Sequence, residues 1–300
     1  MPGQTLSEIR TLLAAAGLSP QYRFGQNFLI DLNLMRKLVD AAGLNSEDVV
    51  LEVGPGTGSL TELLLASGAH VVAAEIDRGL CDLLRRRLGD HPRFTLVEGD
   101  ALSTKHQVNP ALLDSLRKTS RLTQPAGGRD HTIPLKLVAN LPYQVATPLL
   151  IELLCGDPPF ARLCATIQKE VGQRLAARPA TETYGPASVV VQTLARVETL
   201  AHLPPEAFWP RPQVHSVMLR LTPLPEARSR VRDAAGLAGF VSRAFRQRRK
   251  MLRSSLQTLA AESAALLETA GISGAARAEE LTPADWERLF LAWRSSRPGG

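Results

Sequence analysis

The chain has 300 residues, of which 44% are hydrophobic and 21% charged, and this composition is typical of a globular protein. No apolar run reaches the ~18 residues of a membrane span. The 3 cysteines form no CxxC pair, which argues against framework disulfides and against a zinc site. We therefore expect a cytoplasmic protein without a metal ion. The formal charge of +6 lies in the C-terminal part, where residues 228–300 carry 13 basic and 7 acidic side chains, and this favours an anionic partner such as nucleic acid.

The first two thirds of the chain alternate short apolar runs with helical patterns. Residues 1–18 have the charge and spacing of an amphipathic helix rather than of a signal peptide. Two later helical patterns cover 59–67 and 78–88. Apolar runs of strand length occupy 49–54, 70–76, 94–99, 135–140 and 163–168. This alternation predicts an α/β fold with a mostly parallel, doubly wound sheet.

Residues 103–134 form a long polar connection between two of the predicted strands. Spacing over 110–118 predicts a short helix, and the composition of "QPAGGRDH" (124–131) predicts a surface loop. A tolerated insertion is the favoured interpretation of this connection, and we attach no function to it.

The last third of the chain changes from strands to helices. The run 188–200 has the pattern of a helix that turns into a strand, and 216–221 has that of a late strand. Beyond residue 228 apolar residues recur at helical spacing, and "PLPEAR" (223–228) is a linker candidate. The predicted domains are an α/β domain, 1–224, and a small all-helical domain, 225–300.

A glycine-rich turn, "LEVGPGTGSL" (51–60), follows the first of these strands. Gly54, Gly56 and Gly58 allow the backbone to approach a ligand closely and to take positive φ. The helix that follows offers free N–H groups and the positive end of its dipole. A nucleotide-type ligand is therefore favoured.

The spacing of this turn argues against a dinucleotide. The dinucleotide fingerprint requires glycine at the position of Ser59, and here glycine falls one residue earlier. The strand residue Glu52 adds a carboxylate, which would repel a pyrophosphate but tolerate a cationic sulfonium or amine.

Acidic residues follow the next two strands. Glu75 lies about 20 residues past the glycine turn, where a carboxylate can bind both ribose hydroxyls of an adenosine. Asp100 follows the third strand and can accept a hydrogen bond from an adenine amino group. Each could instead cap the next helix, but three strand ends with ligand-binding residues in order favour a shared site.

The tetrapeptide "NLPY" (140–143) ends the fourth strand. The exocyclic nitrogen of adenine is a poor nucleophile because its lone pair is delocalised, and two hydrogen-bond acceptors would free that pair. The Asn140 side-chain oxygen and a backbone carbonyl of Leu141 or Pro142 can supply them. The Tyr143 ring can stack on the base. An ordinary Asn–Pro turn beside a core tyrosine is the alternative, which the other strand ends disfavour.

Nine motifs occur together in the order of one known family. Over about residues 20–293 the chain resembles the bacterial small-subunit ribosomal RNA adenine dimethyltransferases. "GQNFL", "NLPY" and "QRRK" together are specific to that family and its close relatives. The motifs are "FGQNFLID" (24–31), "LEVGPGTGSLTELL" (51–64), "EID" (75–77), "GDAL" (99–102), "NLPYQVATPLL" (140–150), "QKEVGQRLAA" (168–177), "YGPASVVVQ" (184–192), "PPEAFWPRPQVHSVMLRL" (204–221) and "AFRQRRKMLRSSL" (244–256).

The resemblance implies a Rossmann-like class I methyltransferase domain, a small helical C-terminal domain, and S-adenosylmethionine as methyl donor. It implies transfer of two methyl groups to N6 of each of two adjacent adenosines near the 3′ end of 16S rRNA, in a small-subunit precursor. We expect a monomer. Carried over by motif, the donor-binding residues are Asn27, Leu29, Gly54, Gly56, Glu75, Asp100 and Asn140. The residues at the target base are Asn140, Leu141, Pro142, Tyr143 and Phe208.

The chain departs from the family pattern mainly on the target side. Gln144 follows "NLPY" where asparagine is usual, and Gln213 and His215 replace a basic and an acidic residue. Trp209 is bulky for its place. Donor binding is therefore more firmly predicted than target recognition.

A basic helix is predicted over 242–259, with a basic stripe facing outward and an apolar stripe on the domain. Few acidic residues accompany it, so contact with RNA phosphates is favoured over a merely solvated face. The basic residues are Arg243, Arg246, Arg249, Lys250 and Arg253, and the apolar ones are Phe245, Leu252, Leu256 and Leu259.

Two other functions stay open at this point. One is the related 23S rRNA adenine N6-methylation of the antibiotic-resistance type, which the leucine of "NLPY" and the "QRRK" segment disfavour. The other is a ribosome-assembly factor that binds RNA and whose catalysis is dispensable, which the intact donor motifs disfavour.

Overall fold

The computed structural model describes residues 3–104, 106–122, 135–257, 259 and 263–297, so the loop predicted over 124–131 lies outside the described residues. Contacts between Cα atoms divide the chain into two compact units. The sheet unit comprises Met1–Leu153, Asp157–Gly172 and Glu198–Thr222, and the helical unit comprises Leu154–Gly156, Gln173–Val197 and Pro223–Gly300. The domain boundary at 224/225 stays a prediction.

The strands of the described residues are β1 (Phe28–Leu29), β2 (Val49–Val53), β3 (His70–Glu75), β4 (Phe94–Glu98), β5 (Leu102–Thr104), β6 (Gln107–Val108), β7 (Leu135–Asn140), β8 (Phe160–Gln168), β9 (Ala195–Leu203), β10 (Phe208–Trp209) and β11 (Ser216–Pro223). The helices are α1 (Leu6–Ala15), α2 (Leu32–Ala42), α3 (Ser59–Ala66), α4 (Arg78–Leu88), α5 (Pro110–Leu122), α6 (Ala146–Cys155), α7 (Lys169–Leu175), α8 (Pro186–Leu194), α9 (Pro225–Val231), α10 (Ala234–Phe245), α11 (Leu252–Ser255), α12 (Ser263–Thr269) and α13 (Pro283–Ser295). Short 3₁₀ turns cover Tyr22–Phe24, Pro205–Ala207 and Ala278–Glu280.

The main sheet has 7 strands in the order β4-β3-β2-β7-β8-β11-β9. The five strands expected to be parallel are β2, β3, β4, β7 and β8, and neighbouring pairs among them do run parallel. The late strand β11 pairs antiparallel with β8. The predicted α/β fold is confirmed, and the carboxyl ends of β2, β3, β4 and β7 reach the same edge of the sheet.

Local signals explain where several helices begin and end. Asp31 caps α2 by accepting hydrogen bonds from two backbone N–H groups, and Gly43 ends that helix with φ of 57°. Asp77 caps α4 in the same way. The helix-to-strand change expected over 188–200 occurs between α8 and β9.

None of the helices in the described ranges is both long and apolar enough to cross a membrane.

A hydrophobic core lies beneath the sheet unit's α2 and α3. Met35, Leu38 and Leu64 are at most 1% exposed and pack with strand residues such as Val71 and Val138. At ~25 cal/mol per Å² of buried apolar surface, such contacts supply the main free energy that holds the strand ends in place.

An aromatic cluster forms the core of the helical unit. Phe240 on α10 lies 4.9 Å from Trp293 and 6.2 Å from Trp286 between ring centroids, and both tryptophans belong to α13. Tyr184 is fully buried and donates its hydroxyl to the carbonyl of Leu281 at 2.8 Å. These contacts account for the packing of α10 and α13.

The single helix predicted over 242–259 is wrong. Helix α10 ends at Phe245, residues 246–250 form turns, and α11 restarts at Leu252 and spans only one turn. Cations stabilise the C-terminal end of a helix, but like charges three or four residues apart within a helix repel one another. The run of positive charge over 246–250 therefore favours the end of α10 at Phe245 over a continued helix. The isolated bridge between Met251 and Arg277 then holds the chain extended.

Candidate functional site

One cavity of about 260 Å³ lies where the parallel strands end. Its wall contains the glycine turn after β2, Glu75 at the end of β3, Asp100 after β4, and Asn140 at the end of β7. All these segments belong to the sheet unit. The sheet therefore brings together the strand-end residues that the sequence predicts to bind a ligand.

The glycine turn needs its glycines. Gly54, Gly56 and Gly58 have φ of 72°, 60° and 90°, values that other residues take only at a cost in free energy. A Cβ atom on Gly56 would lie 2.7 Å from a ring carbon of Phe28. The Gly56 N–H donates to a carboxylate oxygen of Glu75 at 3.2 Å, so the turn and the ribose-binding candidate form one unit.

Two buried carboxylates line the cavity. Glu75 is 4% exposed, and burial raises its pKa to about 7, although N–H groups of Asp77 and Gly56 donate to it and lower that pKa. Burial raises the pKa of Glu52 to about 8, against the opposing effect of the Thr61 hydroxyl, which donates to it at 2.7 Å. A cationic ligand in this cavity would favour the ionised form of both side chains.

Asp100 lies at the cavity wall with an exposed side chain. The N–H group of Leu102 donates to one of its carboxylate oxygens at 3.0 Å, which orients the carboxylate. Its backbone carbonyl accepts from the Asn109 side chain at 2.9 Å, which fixes the main chain beneath it. The arrangement leaves Asp100 able to accept a hydrogen bond from a ligand.

The Asn140 amide is held in one orientation. Its nitrogen donates to the backbone carbonyl of Asn27 at 2.9 Å, and the Asn27 side chain in turn donates to the carbonyl of Gly25 at 3.0 Å. Because the amide nitrogen is engaged, the amide oxygen of Asn140 remains as an acceptor in a residue that lines the cavity. Two motifs that lie far apart in the sequence thus meet at the cavity.

The rest of "NLPY" is fixed by β8 and β11. The Leu141 N–H donates to the carbonyl of Thr166 at 3.0 Å, which extends the pairing of β7 beyond its end. The Tyr143 hydroxyl lies 3.0 Å from that of Ser216, so the ring cannot swing freely. Leu141, Pro142 and Tyr143 all line the cavity.

Leu29 and Phe208 face each other in the short antiparallel pair β1–β10. Leu29 lines the cavity, as expected of a donor contact, and is 5% exposed. Phe208 is 3% exposed, packs in the hydrophobic core, and is not among the described residues that line the cavity. The structure therefore does not bring Phe208 to the other target-side residues, and its contact with a base stays a prediction.

Residues overlooked from the sequence also line the cavity. Gln26, within the quoted "FGQNFLID", accepts from the N–H of Gln21 at 2.8 Å and donates to Asp77 at 2.9 Å. Ile76 is 43% exposed there, unusual for a large hydrophobic side chain. Its position directly after Glu75 was a usable signal, because a flat apolar ligand bound by Glu75 would lie against the next side chain.

The predicted RNA-binding side chains belong to the helical unit and are exposed. In the part of the chain that the structure describes, none of them has a carboxylate within 4.0 Å, whereas the neighbouring Arg248 pairs with Glu279. The exposed set comprises Arg243, Arg246, Arg249, Lys250 and Arg253.

The described ranges contain no group of three or more His, Cys, Asp or Glu side chains that could hold a metal ion. The predicted absence of a metal stays a prediction. The polar residues that line the cavity carry carboxylate, amide, hydroxyl and guanidinium groups, which suit an organic ligand.

The family model described as "Ribosomal RNA adenine dimethylase" matches residues 18–294. The chain belongs to this ribosomal RNA adenine dimethylase family. A ribosomal RNA small subunit methyltransferase A of Magnetococcus marinus is 41% identical over 281 residues, which cover 94% of this chain and 94% of the relative. One of Phenylobacterium zucineum is 40% identical over 294 residues, which cover 98% and 95%.

Two solved structures share the fold of this family member. A dimethyladenosine transferase from Plasmodium falciparum aligns with a TM-score of 0.71 at 22% identity, over 89% of this chain and 98% of that one. The 23S rRNA methyltransferase ErmE aligns with a TM-score of 0.60 at 24% identity, over 89% and 100%. The expected enzyme class is confirmed by the family: the chain is an S-adenosylmethionine-dependent rRNA adenine dimethyltransferase.

Proposed function

We propose that this enzyme dimethylates N6 of two adjacent adenosines near the 3′ end of 16S rRNA, in a precursor of the small ribosomal subunit. The names of relatives that are 40% to 41% identical over nearly the whole chain support the small-subunit substrate. We further propose that it works in the cytoplasm as a monomer.

The residues at the cavity fit S-adenosylmethionine. The glycine turn leaves room for close approach by a ligand, and Glu52 and Glu75 are buried carboxylates that suit a cationic one. Glu75 would hold the ribose hydroxyls, Asp100 the adenine, and Asn27 and Leu29 the remaining donor surface. When bound, S-adenosylmethionine would supply an electrophilic methyl group.

The observation that carries the proposal is the orientation of the Asn140 amide. With its nitrogen bound to the carbonyl of Asn27 at 2.9 Å, its oxygen can accept from the target amino group. Backbone carbonyls of Leu141 or Pro142 would provide the second acceptor, and proline stiffens the turn. Two acceptors draw the adenine lone pair out of the ring, and each transfer replaces one N6 hydrogen and releases a proton to solvent.

Positioning supplies the remaining catalysis in this proposal. The Tyr143 ring, held through its hydroxyl, would stack on an adenine turned out of the RNA. Orienting two reactants in this way can contribute about 7–11 kcal/mol. No general base with a shifted pKa is needed, because methyl transfer leaves a positive charge on N6 and this cationic nitrogen readily loses its proton to solvent.

The exposed cations of the helical unit would bind RNA phosphates. Such contacts orient the RNA without reading its sequence, so specificity would come from the shape of the folded RNA and from the extruded base. The lack of carboxylate partners among the described neighbours of these cations supports this role.

Methyl transfer from tritiated S-adenosylmethionine to undermethylated small subunits, followed by nuclease digestion and nucleoside analysis, tests the proposal. Dimethyladenosine from 16S rRNA is expected. Asn140→Ala should lower its formation by about 100-fold or more, as expected for loss of a group that stabilises a transition state. Asn33→Ala is the matched control, because among the described residues the exposed Asn33 side chain bonds only Arg36.

Other outcomes would point elsewhere. Methylation of 23S rRNA alone would favour the antibiotic-resistance type of activity. Binding of S-adenosylmethionine and of small subunits without methyl incorporation would favour an assembly factor. Full activity of Asn140→Ala would remove the proposed role of the amide.

A further inference from the structure

Gln4 is a buried glutamine that contacts the glycine turn from outside the cavity. It is 4% exposed, lies before the family match begins at residue 18, and does not line the cavity. Its backbone N–H donates to the Ser59 hydroxyl at 2.8 Å. Its side-chain nitrogen donates to the Thr57 carbonyl at 3.1 Å, and its side-chain oxygen accepts from the Thr57 hydroxyl at 2.7 Å.

These bonds restrain the turn at a residue that is flanked by two glycines. Thr57 lies between Gly56 and Gly58, both of which have positive φ. Because glycine has more accessible backbone conformations than other residues, this stretch has more conformational freedom than it would have with other residues at 56 and 58. The Gln4 side chain bonds both the carbonyl and the hydroxyl of Thr57. Because Thr57 is 1% exposed, solvent cannot replace these bonds if they are lost. Arg87 also donates to the Thr57 carbonyl, but Gln4 alone bonds its hydroxyl among the described residues.

The residues that Gln4 bonds also belong to the ligand-binding side of the turn. Thr57 and Ser59 line the cavity, and the Gly56 N–H donates to Glu75. A change in the φ or ψ of Thr57 would therefore move the N–H group that orients the Glu75 carboxylate. The side-chain nitrogen of Gln4 also donates to Glu62 in the first turn of α3 at 3.1 Å, which holds the turn and the helix together.

We propose that Gln4 is a positioning residue for the methyl donor: it presets the glycine turn in the conformation that binds S-adenosylmethionine. This inference rests on the proposed donor site. Because a preset turn loses less conformational freedom on binding, Gln4 contributes to donor affinity and not to the methyl-transfer step.

The test compares Gln4→Leu, which keeps the side chain's size and removes its hydrogen bonds, with the wild-type enzyme. The Kd and KM for S-adenosylmethionine should rise about 5- to 20-fold, as lost buried hydrogen bonds predict. The kcat at saturating donor and the KM for small subunits should stay within about twofold. Thermal unfolding checks that the variant is folded at the assay temperature.

Two further variants separate positioning from stability. Glu8→Ala disrupts the capping box of α1 in the same N-terminal segment without touching the turn, so it should lower Tm and leave the donor Kd unchanged. Thr57→Val removes the hydroxyl that Gln4 accepts from, so adding it to Gln4→Leu should change the donor Kd little beyond the effect of Gln4→Leu alone. Additive losses would contradict action through Thr57.

The outcomes distinguish this inference from the proposed function. A wild-type enzyme that does not bind S-adenosylmethionine would overturn the donor site itself. If the wild type binds and folded Gln4→Leu binds equally well, only the role of Gln4 is overturned. The same result follows if Glu8→Ala weakens donor binding as much as Gln4→Leu does, because the effect then belongs to the whole segment.

Discussion

Replacing Gly56 by alanine should weaken both the fold and donor binding. Gly56 has φ of 60°, and an added Cβ would lie 2.7 Å and 2.9 Å from two ring carbons of Phe28. The Phe28 ring is 9% exposed and stacks on Trp209 with 6.2 Å between the ring centroids, so it has little room to move away. The turn or the ring must therefore shift.

The expected loss has two parts. A non-glycine residue in the left-handed region costs about 1–2 kcal/mol, and overpacking a buried contact costs about 1–3 kcal/mol. Gly56→Ala should thus lower the free energy of unfolding by about 2–5 kcal/mol. Because the Gly56 N–H also orients Glu75, the Kd for S-adenosylmethionine should rise by about tenfold or more, roughly 1.4 kcal/mol.

Urea unfolding and equilibrium binding of S-adenosylmethionine measure these losses. Gly17→Ala is the matched control: its φ is 66°, and a Cβ there would meet nothing within 4 Å. The control should lose only the conformational part, about 1–2 kcal/mol, and bind the donor normally. If Gly56→Ala is no less stable than Gly17→Ala and binds the donor as the wild type does, then contact with Phe28 does not constrain the turn.

Three further predictions concern charge and the target base. Burial raises the pKa of Glu52 from 4.5 to about 8 in the folded protein. The contribution of Glu52 to stability is therefore fully present below pH 4.5 and is lost as the pH rises through 8. Glu52→Gln should therefore gain stability over the wild type between pH 5 and pH 8, by a few kcal/mol in urea unfolding; an equal pH dependence would contradict the buried, protonated state. Tyr143→Phe loses the bond to Ser216, the hydrogen bond of the Tyr143 hydroxyl within the described ranges, and should retain most activity. Tyr143→Ala should raise the KM for small subunits or lower kcat by about 10-fold or more, from a stacking free energy of about 1–3 kcal/mol; equal activity of both variants would exclude stacking. Charge reversal at Arg246 and Lys250 should weaken RNA binding and flatten its dependence on salt. The slope of the logarithm of the binding constant against the logarithm of salt concentration should fall in magnitude by about 0.7–0.9 for each lost phosphate contact. Unchanged binding across a salt titration would exclude phosphate contacts there.

The strand ends were predictable because the signals are local. Apolar runs of strand length and the caps of α2 and α4 lie within a few neighbouring residues, and the carboxyl ends of parallel strands must meet at one edge. Placing Glu75, Asp100 and Asn140 at one cavity therefore required only the order of the strands. The same local reasoning was wrong where it extended one helical stripe over 242–259, because after α10 ends Met251 pairs with Arg277, a residue outside that stripe, and the chain is extended there.

By itself, the sequence determined the order of strands and helices, the family, and which polar residues stand at the strand ends, since each depends on neighbouring residues or contiguous motifs. Only the tertiary structure decided which way the Asn140 amide points, that Phe208 lies in the core, and that Gln4 holds the glycine turn. The partners of Asn140 and Gln4 lie 113 and 53 residues away along the chain. No periodicity or motif encodes such a pairing, because it forms only when packing brings the two segments together.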